Sequence, residues 1–516
     1  MISTIESCAV CGMQCIPVLV EVDAAKGLPC FEMVGYLGSE VREARERVRV
    51  ALKNIGVDIP PLRLTVNLAP AHVHKGGTAF DLPIAVGVLT ALGYLTGEQV
   101  KGILMVGEIG LNGEIRPVRG VLPMVRQAAE RGIMHCIVPK GNEREGAVIN
   151  GEKVIGVKNL QQVLDYLLKT SKERDKMLPP AKVDLQKLLS EENTMQEFDF
   201  SDVNGQETAK RAVEVAAAGF HNVLMTGPPG GGKTMIAKRI PGILPPLDLE
   251  ESLEVSEIYS VAGLLNEEEA LITKRPFLSP HHTISESALA GGGRIPQPGV
   301  ISLAHHAVLF LDEFGEFKRK TLDILRQPME EKKVHIARTY GKYTYPADFM
   351  LVAAMNPCPC GYFPDRKKCR CSEREIHQYL SKISGPVMDR IDICVEASAI
   401  KINQLNTLKK AESSEKIRTR VINAQKRQKE RFRGTKYRFN SQMNGNDVAK
   451  FCRLGRKEEL LLEKAFKMMD LSARGYHRVL KVARTIADLE DSENIAENHL
   501  TEAIFYRGLE GKYGNN

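Results

Sequence analysis

Eight residues constrain this chain more than any others: Gly227-Pro228-Pro229-Gly230-Gly231-Gly232-Lys233-Thr234. They fit G-x-x-x-x-G-K-[ST], a loop whose backbone N–H groups cradle phosphate. Such a loop needs a strand before it and a helix after it. Residues 221–226 are apolar enough for a short buried strand, and residues 235–240 can open a helix. Glycine lets the backbone approach the β-phosphate, and the helix N-terminus adds positive potential. Lys233 would then reach the β/γ-phosphates, and Thr234 would ligate Mg²⁺.

A second element strengthens the first. Ala307-Val-Leu-Phe-Leu-Asp312-Glu313 is an apolar run ending in two acids. It reads as a buried parallel strand delivering carboxylates at its C-terminal end, where open α/β sheets bind ligands. Asp312 would hold the Mg²⁺ shell, and Glu313 would polarise the attacking water. A third apolar run, residues 349–355, ends at Asn356, which either touches the γ-phosphate or forms a turn. Met388-Asp-Arg390-Ile-Asp392 then offers either an arginine finger for a neighbour's nucleotide or a surface arginine paired with Asp389 or Asp392.

The rest of the 516-residue chain is organised around this core. Its length implies about three domains at ~150 residues each. Residues 1–168 read as a separate α/β domain. Ser39 is expected to cap a helix with Val41, Ala44, Val48, Leu52 and Ile55 on its apolar face, ending at Gly56. Residues 62–68 alternate like a strand, and 105–115 read as a hairpin turning at Asn112-Gly113. Residues 169–195 are charged, contain Pro179-Pro180 and read as a linker, with a helix open over 183–189. The ATPase core is expected over 196–402 and a helical lid over 403–516. No run of ~18 apolar residues is present, so no membrane span is expected. Eleven cysteines without a secretory signal fit free thiols in a reducing, cytoplasmic setting.

In this order the pieces resemble the AAA+ ATPases, and within them the magnesium-chelatase-like branch. Phe277-Leu-Ser-Pro-His-His-Thr-Ile-Ser-Glu286, Gly291-Gly-Gly-Arg294 and Pro298-Gly-Val-Ile-Ser-Leu-Ala-His305 look like that branch's insertion in its second helix. Residues 334–345, with Gly341-Lys342 at the turn, look like its hairpin before the sensor strand. Leu471-Ser-Ala-Arg474 and the following helix look like its lid. By this resemblance Arg474 is the sensor arginine, with Arg478 a nearby alternative, and 202–206 flank the adenine. Leu64-Thr-Val-Asn-Leu-Ala-Pro-Ala71, Lys75-Gly-Gly-Thr-Ala-Phe-Asp-Leu-Pro83 and Arg119-Gly-Val-Leu-Pro123 look like the Lon proteolytic fold. The whole chain resembles the ComM/YifB family. That resemblance implies a ring, hexameric by expectation, which hydrolyses ATP with Mg²⁺ and translocates on single-stranded or branched DNA.

The Lon-like domain is expected to be disarmed. Its chemistry needs a nucleophilic Ser and a Lys base, and alignment puts Ala79 and Leu122 there. Cys358, Cys360, Cys369 and Cys371 form two close pairs that either close a tetrahedral Zn²⁺ site or remain free thiols. Cys8, Cys11 and Cys15 read as buried thiols. For DNA, residues 416–438 carry ten basic side chains and read either as a phosphate-binding stripe or as a solvated helix face. By resemblance the better candidates are Lys342 and Arg294 in the pore.

Overall fold

The computed structural model describes residues 2–190, 198–293, 295–338, 341–398, 411–469 and 471–508. Part of the expected linker (191–195), the core–lid boundary near 402 and Arg294 lie outside these residues.

The N-terminal domain is a seven-stranded sheet with helices on its faces. The strand order is Cys30–Val34, Arg63–Ala69, Gln14–Ala25, Ile2–Cys11, Ile103–Met105, His135–Pro139, Lys153–Val157. Gln14–Ala25 runs antiparallel to both of its neighbours, and the other pairs are parallel. Alternation in Arg63–Ala69 buries Leu64, Val66 and Leu68, as period-two patterning requires. The helix Ser39–Asn54 buries Val41, Ala44, Val48 and Leu52, but Gly38 is its cap and Ile55 lies just past its end. Gly38 N–H is drawn to the Lys75 carbonyl (2.7 Å), and this places the first helical residue at Ser39. The hairpin is short, Glu108–Ile109 against Ile115–Arg116, with Gly113 left-handed at φ 82°. Asp81–Ala91 is apolar all round and buried throughout, the pattern of a central helix.

The expected linker has more structure than its composition suggests. Ser171–Met177 and Leu185–Ser190 are helical. Val183, Leu185 and Leu188 pack on an interdomain cluster of Leu122, Val148, Ala270 and Leu271. The N-terminal domain is also joined to the helix Leu249–Ala262: Arg126 pairs with Glu257 at 2.8 Å, and Gly120 N–H donates to Ser260 O at 2.9 Å.

The ATPase core is a five-stranded sheet ordered Phe277–Leu278, Val308–Leu311, Met350–Met355, Val223–Thr226, Ile393–Glu396. Every pair is parallel, so all the strands deliver their C-terminal ends to one edge. The central strands are buried on both faces and read as unbroken apolar runs. Helices of the lid share one apolar cluster with the core helix Glu207–Gly219. Ser414–Arg431 buries Ile417, Val421 and Ala424, while Gln425 and Gln428 donate to the carbonyls of Ala217 and Ala218. No described helix is long and apolar enough to cross a membrane.

Candidate active site

The phosphate loop links Val223–Thr226 to Lys233–Ala237, the strand–loop–helix order that the motif requires. Gly227 cannot be replaced: a Cβ there would stand 2.1 Å from the Ala397 carbonyl. Gly232 caps the helix in the left-handed region, at φ 79°. Gln206 ties the segment expected to flank the adenine to this loop, donating to Gly231 O (3.0 Å) and Ser398 O (2.5 Å).

Three strand ends converge on the loop. Lys233 Nζ donates to the carbonyls of Gly227 (2.7 Å) and Pro228 (3.0 Å) and to Asn356 Oδ1 (3.2 Å). Burial lowers its pKa, opposed by the charge of Asp312. Thr234 Oγ1 donates to Asp312 Oδ2 at 2.7 Å, which sets hydroxyl and carboxylate side by side, as a shared Mg²⁺ shell needs. Asp312 Oδ1 accepts the Glu313 N–H at 2.9 Å. Glu313 itself is left-handed (φ 52°), a conformation that costs a non-glycine residue about 1–3 kcal/mol and gathers at functional sites. Its carboxylate is largely exposed and meets His282 Nδ1 at 3.1 Å. Sequence reasoning passed over His282. The His281-His282 pair sits in the insertion, and only the fold brings it to the acidic strand.

The two arginines lie elsewhere. Asn222 Nδ2, at the start of the loop-bearing strand, donates to Arg390 O. Asn222 and Gly227 are separated by a strand rising about 3.3 Å per residue, so the Arg390 backbone stands roughly 15 Å from its own phosphate loop. It is not a surface arginine paired with Asp389 or Asp392. It is 8 % exposed, donates to Pro386 O and pairs with Glu330 Oε2, both at 2.5 Å. Arg474 Nη2 approaches the other oxygen of Glu330 at 3.6 Å and is mostly exposed. Arg478 is instead built into the joint between lid and core, donating to Ile391 O at 3.0 Å. Arg390 and Glu330 line an open cavity of about 730 Å³.

Comparison with known proteins follows this geometry along the chain. Residues 199–405 match the model "Magnesium chelatase, subunit ChlI", residues 20–142 "Subunit ChlI of Mg-chelatase", and 411–507 "Magnesium chelatase, subunit ChlI C-terminal". "Uncharacterized protein YifB" of Escherichia coli is 42% identical over 511 residues, 99% of this chain and 97% of that one. "Competence protein ComM" of Haemophilus influenzae is 40% identical over 501 residues, 96% of each. The chain belongs to the ComM/YifB family. Its members are magnesium-chelatase-like AAA+ ATPases with a Lon-like N-terminal domain, and that membership brings ATP and Mg²⁺ with it. The Lon likeness is separate and partial: "Archaeal Lon protease" of Thermococcus kodakarensis is 28% identical over 152 residues, 28% of this chain and 24% of that protein.

In this ComM/YifB protein the Lon-like site is a cavity of about 360 Å³ lined by Thr78, Ala79, Glu108 and Met124. Leu122 does not face it. Leu122 is fully buried in the interdomain cluster with Ala270 and Leu271. From the ATPase core, Ile295, Pro296 and Tyr343 close the cavity's far wall. Cys8 is buried, whereas Cys11 and Cys15, at the paired ends of their strands, are only half-buried.

The second cysteine group is compact. The sulfurs of Cys358, Cys360 and Cys369 lie 3.3, 3.6 and 3.7 Å apart, and all four thiols, Cys371 included, fall within 4.8 Å of one another. Tetrahedral thiolates ~2.3 Å from Zn²⁺ stand about 3.8 Å apart, so the donor set fits that ion. Phe363 N–H points at Cys358 Sγ (3.4 Å), and the Tyr362 N–H draws the Cys360 thiol down to about 6.

The basic stretch is less available than its sequence suggests. Arg418 donates to Gly242 O, and Arg420 pairs with Glu214 and Glu412. Arg427 pairs with Asp491, Arg431 with Asp488, and Arg438 with Glu250 and Glu251. Arg418, Arg420 and Arg438 fasten the lid to the core, Arg427 and Arg431 pair within the lid, and together they do not form a continuous stripe. The hairpin Lys333–Arg338 and Gly341–Pro346 has a different character: Val334, Ile336 and Tyr345 face inward, while Lys333, Arg338 and Lys342 are exposed. Gly341 and Lys342 pair with Arg338 and Ala337, so they begin the second strand and are not the turn. The tip, 339–340, lies outside the described residues.

Proposed function

We propose that this chain is a subunit of an ATP-driven ring, hexameric by family, that moves on DNA as a helicase or branch-migration motor in transformation or recombination. One observation carries the ring. The loop, acids and Asn356 sit at one end of the sheet, while Arg390 and Arg474 meet on Glu330 roughly a strand length away. A subunit therefore holds nucleotide at one face and offers arginines at another, and hydrolysis needs a neighbour. Lys233, Thr234 and Asp312 hold the Mg²⁺–nucleotide. Glu313 activates water, Asn356 orients the γ-phosphate, and the neighbour's Arg390 and Arg474 stabilise charge in the transition state. Cys358, Cys360, Cys369 and Cys371 hold a structural zinc ion, with no open position for catalysis.

DNA is supported by the competence protein among the full-length relatives and by the basic outer edge of the hairpin. The matched chelatase models favour a second reading, a motor that serves a metal-insertion partner. The test is the ATPase rate of the full-length protein with and without single-stranded and branched DNA, followed by strand displacement. Stimulation with displacement supports the DNA motor. A rate indifferent to DNA removes it and leaves the second reading.

A further inference from the structure

The four-thiol knot is woven into the nucleotide site. Cys358 follows Asn356 by two residues, so the first thiol anchors the chain where the sensor strand ends. Gly361 presses the knot onto the phosphate loop. It is left-handed (φ 83°), and a Cβ there would lie 2.5 Å from Pro229 Cδ and 3.7 Å from Asn356 Cγ. Beyond Cys371, Ser372 caps the helix Glu373–Leu380. That helix carries Tyr379, whose hydroxyl lies near the Asn356 backbone and whose ring packs on Gly315, just past Glu313. One segment thus leaves Asn356, passes through the knot and returns to grip both Asn356 and the acidic turn.

Tyr379 packs into the main core, but the loop between Cys358 and Cys371 has little core of its own. The buried members of its apolar cluster are Cys358, Cys369 and Ile376, so two of the three are themselves thiol donors. A core that small does not order a loop unaided, whereas a metal joining four points does.

We infer that zinc in the Cys358–Cys371 knot is a positioning element for ATP turnover: it holds Asn356 and Pro229 in register with Lys233 and Glu313. This rests on the ATPase and zinc readings above. Misplacing a catalytic group by ~1 Å can cost up to ~10²-fold in rate, so the metal acts on kcat more than on nucleotide affinity.

The experiment uses full-length protein. Elemental analysis is expected to give about one zinc per chain. Removing the metal with a chelator and a reversible thiol reagent is expected to lower kcat roughly tenfold or more, with KM for ATP within about threefold; reloading zinc restores kcat. Gly361→Ala is expected to keep its zinc and still lose kcat, which separates coupling from metal binding. With cobalt in place of zinc, the thiolate–cobalt absorption is expected to shift when a non-hydrolysable ATP analogue binds. Unchanged kcat after zinc removal with only a lower melting temperature, a wild-type kcat in Gly361→Ala, or a silent cobalt spectrum each overturns the coupling and leaves zinc binding intact. Zinc near zero in active protein overturns the zinc reading and the coupling with it. A zinc-loaded protein with no ATP turnover under any condition overturns the ATPase reading instead.

Discussion

Two glycine-rich turns in this molecule each lead into a buried helix, and they have opposite fates. At Gly227–Thr234 the ends of three strands bring Lys233, Asp312 and Asn356 within hydrogen-bond reach of one another or of Thr234. At residues 75–80 the same kind of turn carries Ala79 at the cavity, Thr78 bound to Glu108 (2.5 Å), and Lys75 with its ammonium turned onto the Pro70 carbonyl. The backbone of both domains is intact. What differs is whether polar and charged side chains from several strands converge on one spot. Folds persist by burying apolar surface, and chemistry persists only through a few aimed side chains. At the second turn the ATPase insertion and hairpin close over the cavity, with Ile295 against Gly76 and Tyr343 on the same lining.

Disabling the armed side is expected to have the largest effect. Lys233→Ala abolishes nucleotide binding in an equilibrium titration. Glu313→Gln still binds ATP but loses ~10⁴ in turnover, the scale seen when a catalytic group is removed. Turnover retained in Glu313→Gln would take this residue out of the water-activating role. Arg390→Ala is expected to lose ~10³. Mixing Arg390→Ala with Lys233→Ala chains should then regain activity, because each mixed interface can pair an intact loop with an intact arginine. A mixture no faster than its components would mean that Arg390 does not act across subunits.

A smaller effect is expected at His282. Its ring holds the Glu313 carboxylate at 3.1 Å. Releasing that contact by His282→Ala should raise the DNA-free ATPase rate by about threefold and shrink the stimulation by DNA, since an exposed contact to a carboxylate is worth ~0.2–1 kcal/mol. A variant with wild-type basal rate and wild-type stimulation would make the pair a resting contact only.

The convergence at the phosphate loop was legible in the sequence because its parts are local. The loop, the acidic strand end and Asn356 each lie next to a readable apolar run, and the parallel sheet places those ends together. The helix face at Val41, Ala44, Val48 and Leu52 was legible for the same reason. Relations made only by tertiary structure were not legible. Glu330 bears no motif, yet it joins Arg390 to Arg474. The basic stretch reads as a stripe until Glu214, Asp488 and Glu250 arrive from distant segments. The linker composition hid Val183 and Leu188, whose partners come from both flanking domains. Tyr379 likewise reaches Gly315 and Asn356 only in the fold.

The least perturbing test probes the disarmed side. Ala79→Ser restores the nucleophile atom where the Lon-like fold expects it. The backbone there is pinned, since Ala79 O accepts the Gly107 N–H at 2.9 Å, so one hydroxyl should fit with a stability change of about 1 kcal/mol or less. The ATPase rate should stay within about twofold, because residue 79 touches none of the phosphate-loop groups. No peptide cleavage is expected. A serine hydroxyl needs an adjacent base, and the expected lysine position holds Leu122, packed away from this cavity. Lys75 is the lysine beside the turn; burial lowers its pKa, which suits a base, but its Nζ is committed to the Pro70 carbonyl. A fluorogenic peptide assay therefore separates two kinds of loss. Background hydrolysis in Ala79→Ser means that nucleophile and base have both gone. Measurable hydrolysis that vanishes in Ala79→Ser/Lys75→Met would mean that Lys75 can still turn to serve, and that the two turns differ by a single side chain.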